Sequence, residues 1–597
     1  MIFLTTCEIF PQIKKPGNSQ LVLANQYEKL GAYEQALKIY NHLYRNNPSD
    51  AAAFDGIKRC LMVLKRYDEA IHIIQSGLQR KYSSRNHSDL GTLYFKKGDD
   101  REAYRIWDQV IEKNSNDASA YRTVANAMIN ARLINEAIDI YKRARKNVKS
   151  NDGFTIELAN LYAIQSNYQD AVSEYLNYLD RNPNQFNLVE GSIIRFTDDS
   201  DATELIIETI RQRLSQKTEK IFLRQLLASL YMKIERFDAA LCEYKLMDAV
   251  TSDRNEKSQQ GKDLLTFANN ALQDGAYPYA QQAFSLILEK YPASSYLSQA
   301  KYGLARAYQL QGNYQDALNN YMELVETNRR SYEVEKSLYQ IGEIKLDVLF
   351  DPSGARDAYQ KILKHYSSGL RRYDAIFKIG ETYSAEGNFD QARIWYHKPL
   401  REKKLKFGIR SRALYQLALL DIGDGKWDEA IRKLDEIIKN TPNGNSGEEQ
   451  KLVNDALDLT LLIEDGKQSK EALSLYSQTI LLEYRRLFGD AINNLNKIIT
   501  DFPQSNIVDE ALLKISKFEY QQKHFIAAIE AFRKLIADYP ESYYCDFAQK
   551  RIAEIYEKDL GEIEQAKREY EQFLVQYPKS LYLEEVRKRI RSIEKHL

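Results

Sequence analysis

The sequence has few residues that interrupt helices, with only 12 prolines and 25 glycines among 597 residues. Strand-like runs of Val, Ile and Thr are scarce as well, whereas Ala, Leu, Glu, Gln and Lys recur throughout. This composition favours helices over strands. No apolar run approaches the ~20 residues that a membrane-spanning helix needs, so the sequence predicts no such helix.

Cysteine is scarce and the chain has no net charge. Four cysteines, Cys7, Cys60, Cys242 and Cys545, lie too far apart for a Cys-x-x-Cys pair and are too few for a disulfide framework. Basic and acidic residues number 84 each. A balanced chain has no overall field that attracts nucleic acid, so no nucleic-acid partner is predicted.

A repeated pair of positions runs through the chain. An alanine is followed four residues later by a large apolar or aromatic residue, as in Ala36 and Tyr40, and the first five copies lie 34, 33, 34 and 34 residues apart. The alanines are Ala36, Ala70, Ala103, Ala137, Ala171, Ala240, Ala280, Ala317, Ala355, Ala392, Ala430, Ala491, Ala528 and Ala566. A small residue at such a spacing lets two helices approach closely while the ring fills the adjacent space.

Prolines mark the end of the same unit. Seven copies carry a proline twelve residues after the alanine: Pro48, Pro183, Pro292, Pro442, Pro503, Pro540 and Pro578. Proline ends a helix because it lacks an N–H and restricts the preceding residue. The pattern resembles the tetratricopeptide repeat family, which implies an all-α solenoid of about fourteen to sixteen helical hairpins in a right-handed superhelix.

The repeat length changes along the chain and suggests its organisation. After Ala240 the intervals lengthen to 37–40 residues, and two intervals are double, 69 residues before Ala240 and 61 before Ala491. The predicted parts are a leader or tether (1–20), an array of ordinary repeats (21–183), a degenerate hairpin plus one repeat (184–260), an array of long repeats (261–442), and an extra helix followed by the C-terminal array (443–597).

The long repeats end in an aromatic-Pro-x-Ser motif, for example Phe502-Pro503-Gln504-Ser505. This ending is similar to that of bacterial cell-envelope repeat proteins, such as the lipoprotein of the outer-membrane β-barrel assembly machinery and the Tol-Pal-associated periplasmic protein. The resemblance implies a location at the periplasmic face of the outer membrane. Residues 1–7 resemble the tail of a lipoprotein signal, which would make Cys7 a lipid-anchored residue. The alternative is a short leader in a cytoplasmic protein.

Side chains suited to catalysis do not cluster in the sequence. The seven histidines are scattered without a His-x-x-x-His pair, and no strand-helix alternation accommodates a nucleotide. No catalytic residue, metal site or cofactor is therefore predicted, and an enzymatic function is disfavoured. Arg122 and Asn126 match half of a carboxylate clamp for peptide C-termini, but Glu157 stands where asparagine is needed and would repel the ligand.

The function expected of such an array is binding to other proteins, as peptides or helices, along a concave face lined by the first helix of each hairpin. Helix phase places these residues on that face: Asn25, Glu28, Arg122, Asn126, Glu157, Asn160, Arg306 and Gln309. The leading hypothesis is a scaffold or adaptor of the bacterial envelope. A cytoplasmic regulatory subunit of an enzyme or secretion complex is the alternative, and membrane contact is expected only through an N-terminal lipid.

Overall fold

A computed structural model describes residues 16–149, 153–198, 200–216, 220–254, 257–327, 331–366, 369, 371–442 and 447–596. The chain divides into two compact units, Met1–Asn255 (unit 1) and Glu256–Leu597 (unit 2). The described parts hold thirty-two α-helices and no strand. The prediction of an all-α repeat fold is thus confirmed.

Unit 1 contains the first fourteen helices. They are α1 (Pro16–Lys29), α2 (Tyr33–Asn46), α3 (Ala51–Val63), α4 (Tyr67–Arg80), α5 (Ser84–Lys97), α6 (Asp100–Lys113), α7 (Ala118–Asn130), α8 (Ile134–Asn147), α9 (Thr155–Ile164), α10 (Tyr168–Arg181), α11 (Phe186–Ile194), α12 (Ser200–Gln216), α13 (Ile221–Lys233) and α14 (Phe237–Arg254). Two 3-10 segments, Pro183–Gln185 and Arg195–Asp198, flank α11.

Unit 2 contains the remaining eighteen helices. They are α15 (Lys262–Gln273), α16 (Tyr277–Lys290), α17 (Leu297–Leu310), α18 (Tyr314–Thr327), α19 (Tyr332–Glu343), α20 (Pro352–His365), α21 (Arg372–Ala385), α22 (Phe389–Leu400), α23 (Phe407–Gly423), α24 (Trp427–Lys439), α25 (Gly447–Gly466), α26 (Lys470–Tyr484), α27 (Phe488–Asp501), α28 (Val508–Gln521), α29 (Phe525–Asp538), α30 (Cys545–Lys558), α31 (Ile563–Gln576) and α32 (Leu583–His596). A 3-10 segment, Lys257–Gln259, precedes α15, and a π-helical segment, Ile344–Val348, continues α19.

The repeated alanines occupy one structural position. Each is the fourth residue of the second helix of a pair, and each has no exposed surface. Fourteen helix pairs contain this position, which leaves α11, α12, α25 and α32 outside the pattern. Burial of a methyl group at every crossing lets the helix axes approach closely, so the alanine sets the spacing of each pair.

In several pairs the residue four positions after the alanine is a tyrosine that joins the two helices by a polar contact as well as by packing. The side chain of Tyr40 is fully buried, and its hydroxyl lies within hydrogen-bond distance of Asn25 Oδ1 and Glu28 Oε2 on the first helix, at 2.7 and 2.8 Å. Tyr321 donates in the same way to Gln309, at 2.8 Å. A buried phenol usually has a hydrogen-bond partner, and in these two pairs the first helix supplies it.

Glycines of the first helices face these rings at close range. A Cβ built at Gly91 would lie 2.6 Å from Nε1 of Trp107, which is fully buried and donates to the carbonyl of Ser88 at 3.1 Å. Gly56 meets Tyr40 in the same way. Since the ring cannot move without losing its packing, the glycine is required by space rather than by backbone conformation.

Substitution of Gly91 by alanine tests this close packing. We expect Gly91→Ala to destabilise unit 1 by about 1–3 kcal/mol, because overpacking outweighs the gain in helix propensity. The matched control is Gly191→Ala on α11, where an added Cβ meets nothing within 4 Å. The free energy of unfolding in urea measures both effects, and equal stability of the two variants would contradict this account.

A buried carboxyl group lies between the hairpins of the C-terminal array. Glu510 on α28 is only 6% exposed, and its Oε2 atom has no hydrogen-bond partner among the described residues. Burial, a hydrogen bond with Asp509 and the charge of Asp509 raise the pKa of Glu510 to about 9. The side chain is therefore neutral in the folded protein at neutral pH.

This shift makes the stability of unit 2 depend on pH. The unfolded chain loses the Glu510 proton near pH 4.5, whereas the folded chain keeps it up to about pH 9, so the free energy of unfolding falls as pH rises across that range. We expect Glu510→Gln, which stays neutral, to weaken this dependence and to be more stable than the wild type at about pH 8. Urea unfolding at several pH values measures the slope, with Glu530→Gln on the exposed face of α29 as the control. An unchanged slope in Glu510→Gln would refute the assignment.

Candidate binding groove

Helix α25 interrupts the alternation of first and second helices in unit 2. It follows α24, but the next helix, α26, packs on α23 instead of forming a hairpin with α25. The Tyr484 hydroxyl donates to Gln416 of α23 at 2.6 Å, and Leu481 lies against the backbone of Gly423. Nε1 of Trp427, at the start of α24, donates to Ser477 at 3.0 Å. Helix α25 thus lies outside the alternation of first and second helices, and α26 takes the next place by packing on α23.

The return of α26 brings two distant turns of unit 2 into contact. Both Nη atoms of Arg486 donate to Asp347 of the π-helical segment, at 2.6 Å to the carboxylate and 2.8 Å to the backbone carbonyl. The Arg486 guanidinium also lies 4.6 Å from the ring centroid of Phe350. These residues are 139 positions apart in sequence. We call this pairing of Asp347 and Arg486 the turn contact.

A cavity of about 860 Å³ opens between these elements and is called the groove. Aromatic and aliphatic side chains form its floor: Phe350, Tyr415, Leu419, Leu459, Tyr476, Ile480, Tyr484 and Phe488. Charged and amide groups stand around it: Asp347, Glu381, Glu483, Arg486, Lys514, Gln521 and Gln522. A cavity of this size with an apolar floor and a few polar groups is suited to binding several side chains of a ligand.

A second chamber of about 550 Å³ adjoins the groove and shares Tyr415 with it. Its lining includes charges from α23 and α25, among them Arg412, Glu449 and Asp455. Burial, followed by the charges of Asp455, Glu483 and Asp458, raises the pKa of Tyr415 well above its usual value. Tyr415 therefore stays a neutral phenol among acidic groups, at the boundary of both chambers.

Charged side chains in the groove and beside it have opposite charges nearby. Glu483 pairs with Lys514 at 2.5 Å, and Asp347 is held in the turn contact. Asp455 and Asp458, one turn apart on α25, form no ion pair within the described residues, and burial raises the pKa of each. The positive charge of Lys517 on α28 opposes this effect on the pKa of both carboxyl groups, and Lys451 does so for Asp455.

The residues predicted for the concave face of unit 1 lie on first helices, as expected, but internal bonds hold most of them. Glu28 accepts from Tyr40 and pairs with Arg59 at 2.7 Å, which lowers the pKa of Glu28. Arg122 and Glu157 form an ion pair at 2.8 Å, so the acid that breaks the clamp motif binds its arginine.

The other predicted residues show the same tendency. Asn160 accepts from the Tyr175 hydroxyl at 2.7 Å, and Arg306 donates to Gln340 at 3.0 Å. Asn126 is exposed on α7. Whether any of these side chains binds a partner remains a prediction. Cys7, the predicted lipidation site, lies outside the described residues.

Sequence reasoning did not identify the groove residues themselves. Tyr415, Leu419 and Leu459 belong to no repeated motif, and the signal for this region is the double interval of 61 residues before Ala491. That interval contains α25. A break in a regular repeat changes how neighbouring hairpins pack. The long interval therefore indicates the region of the groove, but it does not predict which residues line the cavity.

Comparison with known families identifies the repeats. Residues 257–377 and 473–597 match the family model for YfiO, an outer membrane lipoprotein, and residues 412–444 match a tetratricopeptide repeat. Both resemblances predicted from the sequence are thereby confirmed. Repeats of these types mediate protein–protein interactions and are typically non-catalytic. No helix among the described residues is both long and apolar enough to cross a membrane.

No curated protein sequence matches the chain. Among solved structures, the complex described as Naa15/Naa10 bound to HypK-THB contains a similar chain with 13% identity and a TM-score of 0.28, and the match covers 97% of this chain and 96% of that one. Yeast Tom70 has 14% identity and a TM-score of 0.25, with coverage of 96% and 99%. Likenesses at these scores say nothing about the function of this chain.

Removal of the turn contact is expected to loosen one side of the groove. Arg486→Gln loses an ion pair, a bond to a backbone carbonyl and a ring contact, so hydrogen exchange in the turn between α26 and α27 is expected to quicken about fivefold, which corresponds to about 1 kcal/mol. Arg432→Gln is the control, because Arg432 is highly exposed and pairs only with Glu429 of its own helix. Equal exchange rates in both variants would show that the turn contact has no stabilising role.

Proposed function

We propose that this tetratricopeptide-type repeat protein is a non-catalytic scaffold of the bacterial cell envelope, which binds peptides or helices of partner proteins in concave surfaces such as the groove. The observation that carries this proposal is the position of the family matches. Both segments that resemble the outer membrane lipoprotein contribute to the groove, Leu346–Phe350 from the first and Tyr476–Gln522 from the second.

The groove also uses the stretch between the two matches. Tyr415, Leu419 and Leu459 lie in residues 378–472, which the lipoprotein family model does not cover. The binding surface is therefore built partly from family repeats and partly from this chain's own α23 and α25. Such a surface supports a partner specific to this protein rather than one shared by every relative.

The chemistry of the groove supports binding more than turnover. Its polar groups are mostly engaged in ion pairs, and its tyrosines are neutral phenols, since burial raises the pKa of Tyr476 and Tyr484. Aromatic side chains provide large contact areas at low conformational cost, which is why they dominate the energetics of protein interfaces.

The proposed location is the periplasmic face of the outer membrane, with the chain anchored by a lipid on Cys7. Support comes from the lipoprotein family match and from the apolar stub that ends in this cysteine. A single acyl chain binds membranes only weakly, so stable anchoring requires the two or more chains of a fully processed lipoprotein.

Mass analysis of the N-terminus in the native cell, combined with membrane fractionation, tests the location. We expect a lipid-modified Cys7 in the outer-membrane fraction and release of the Cys7→Ala variant into the soluble fraction. Cys242→Ala is the control, because it removes an exposed cysteine from the folded region. An unmodified N-terminus in the cytosol would reject the envelope proposal and favour a regulatory subunit of a cytoplasmic complex.

A further inference from the structure

We infer that the basic turn, formed by Lys398, Arg401, Lys403 and Lys404 where α22 leads into α23, binds the phosphate-bearing headgroups of anionic lipids. Unit 2 would then contact a membrane surface by itself. This inference goes beyond the proposed scaffold function, because it holds whether or not Cys7 carries a lipid. The sequence predicts membrane contact only through that lipid, since cations and anions balance over the whole chain. The structure distinguishes the cations that are paired from those that are not.

The cations of the basic turn form no ion pair with any other described residue. Nζ of Lys398 lies over the ring of Trp395, and burial together with the positive charge of Arg401 lowers the pKa of Lys398. Arg401, Lys403 and Lys404 are exposed. Four positive charges thus lie within seven residues, and each is available to an anion from outside the chain.

The one acidic residue inside the turn is held by other side chains. Both carboxylate oxygens of Glu402 accept hydrogen bonds from α21, one from Arg372 at 2.8 Å and one from the Tyr373 hydroxyl at 2.6 Å. The bonds from Tyr373 and Arg372 lower the pKa of Glu402. Because Arg372 already compensates the carboxylate, Glu402 does not cancel the charge of the basic turn. Its two bonds also fasten the turn to α21.

Acids on the neighbouring helices are paired with other cations. Asp374 of α21 binds Arg412 at 2.9 Å, and Glu436 of α24 binds Arg410 at 2.6 Å. Lys406 lines the second chamber together with acids of α25, so we do not count it in the basic turn. The positive charge of the turn therefore persists in its surroundings.

The other two basic runs of the chain differ from this turn. Within residues 142–146 both arginines are held in ion pairs with acids of neighbouring helices. Two of the three arginines within residues 587–591 are likewise paired with acids. Both runs lie inside helices, whereas the basic turn extends into the irregular segment 401–406. A basic sequence alone thus does not identify such a site, because its cations can be used within the fold.

Apolar side chains beside the cations favour a bilayer over an acidic protein as the partner. Ile394 is 46% exposed on α22, and Lys398 and Arg401 follow it four and seven residues later, on the same face. Trp395 is half-buried next to them. An aliphatic side chain and an indole beside cations suit the boundary between lipid phosphates and acyl chains. Lysine is a hydrated point charge, so several lysines on a turn suit a surface with many anions.

Co-sedimentation of the full-length chain with lipid vesicles tests the inference. The chain carries Cys7→Ala, so that no lipid can be attached to it. The vesicles consist of phosphatidylcholine alone or with about one-third phosphatidylglycerol. We expect binding to the anionic vesicles at low salt and none to the neutral vesicles. Binding is expected to disappear at about 0.5 M salt, because ions screen the contact.

Neutralisation of the exposed cations gives the magnitude. We expect the variant Arg401→Gln/Lys403→Gln/Lys404→Gln to bind the anionic vesicles more weakly by roughly tenfold or more, since each cation near an anionic surface contributes to the affinity. All three side chains are exposed, so these substitutions leave the packing of α22 and α23 intact. Circular dichroism confirms that the variant is folded.

A matched control removes the same charge elsewhere in unit 2. Lys290→Gln/Lys361→Gln/Lys364→Gln replaces three exposed lysines of α16 and α20 that form no ion pair within the described residues. We expect this variant to bind the anionic vesicles like the chain that carries only Cys7→Ala. The comparison separates the position of the charges from the net charge of the protein.

Three outcomes overturn the inference: no binding to anionic vesicles at low salt, equal binding to neutral and anionic vesicles, or equal affinity of the two triple variants. Binding of labelled polyglutamate in place of vesicles would also overturn it and would make an acidic protein the partner of the basic turn. None of these results decides the proposed function, which is tested separately in the cell by the location of the chain and by its protein partners.

Discussion

The close approach of two helices at a buried alanine is the constraint on which the rest of this structure depends. At all fourteen sites the alanine is the fourth residue of a second helix and has no exposed surface. A larger side chain there would push the helices apart and displace the ring one turn later. In the first pair that ring also bonds with polar side chains of the first helix, since the Tyr40 hydroxyl lies against Asn25 and Glu28. Packing inside a pair thus also holds side chains of its first helix in place.

The groove arises where this regular construction is interrupted. Helix α25 takes a place after α24 without a hairpin partner, and α26 returns to α23, where Tyr484 bonds with Gln416. A regular array would present a shallow, evenly curved surface at this point. The interruption instead encloses a cavity of about 860 Å³ with an aromatic floor and charged groups of both signs around it. Specificity in repeat proteins commonly comes from such departures, because the regular repeats supply the frame.

Sequence patterns predicted the frame and did not predict the groove, for a physical reason. The alanine spacing and the prolines depend on contacts within one hairpin, which lie close together in sequence. They therefore locate the second helices, each of which begins three residues before its alanine, as at Tyr33 for Ala36. The double interval before Ala491 contains a helix that lies outside the hairpin pattern, Gly447–Gly466. The turn contact joins residues 139 positions apart, and its formation depends on how successive hairpins are oriented, which no local pattern records. The buried partners of predicted surface residues, such as Tyr175 for Asn160, depend equally on three-dimensional packing.

The central claim is that the groove of unit 2 is a protein-binding surface in the cell. Site-specific photo-crosslinking in the native organism tests it most directly, with a benzophenone amino acid placed at Leu419 on the groove floor and, for comparison, at Glu564 on the exposed face of α31. The account predicts a discrete crosslinked protein from position 419 and none from position 564. The absence of a crosslink at 419, or the same product from both positions, would contradict it.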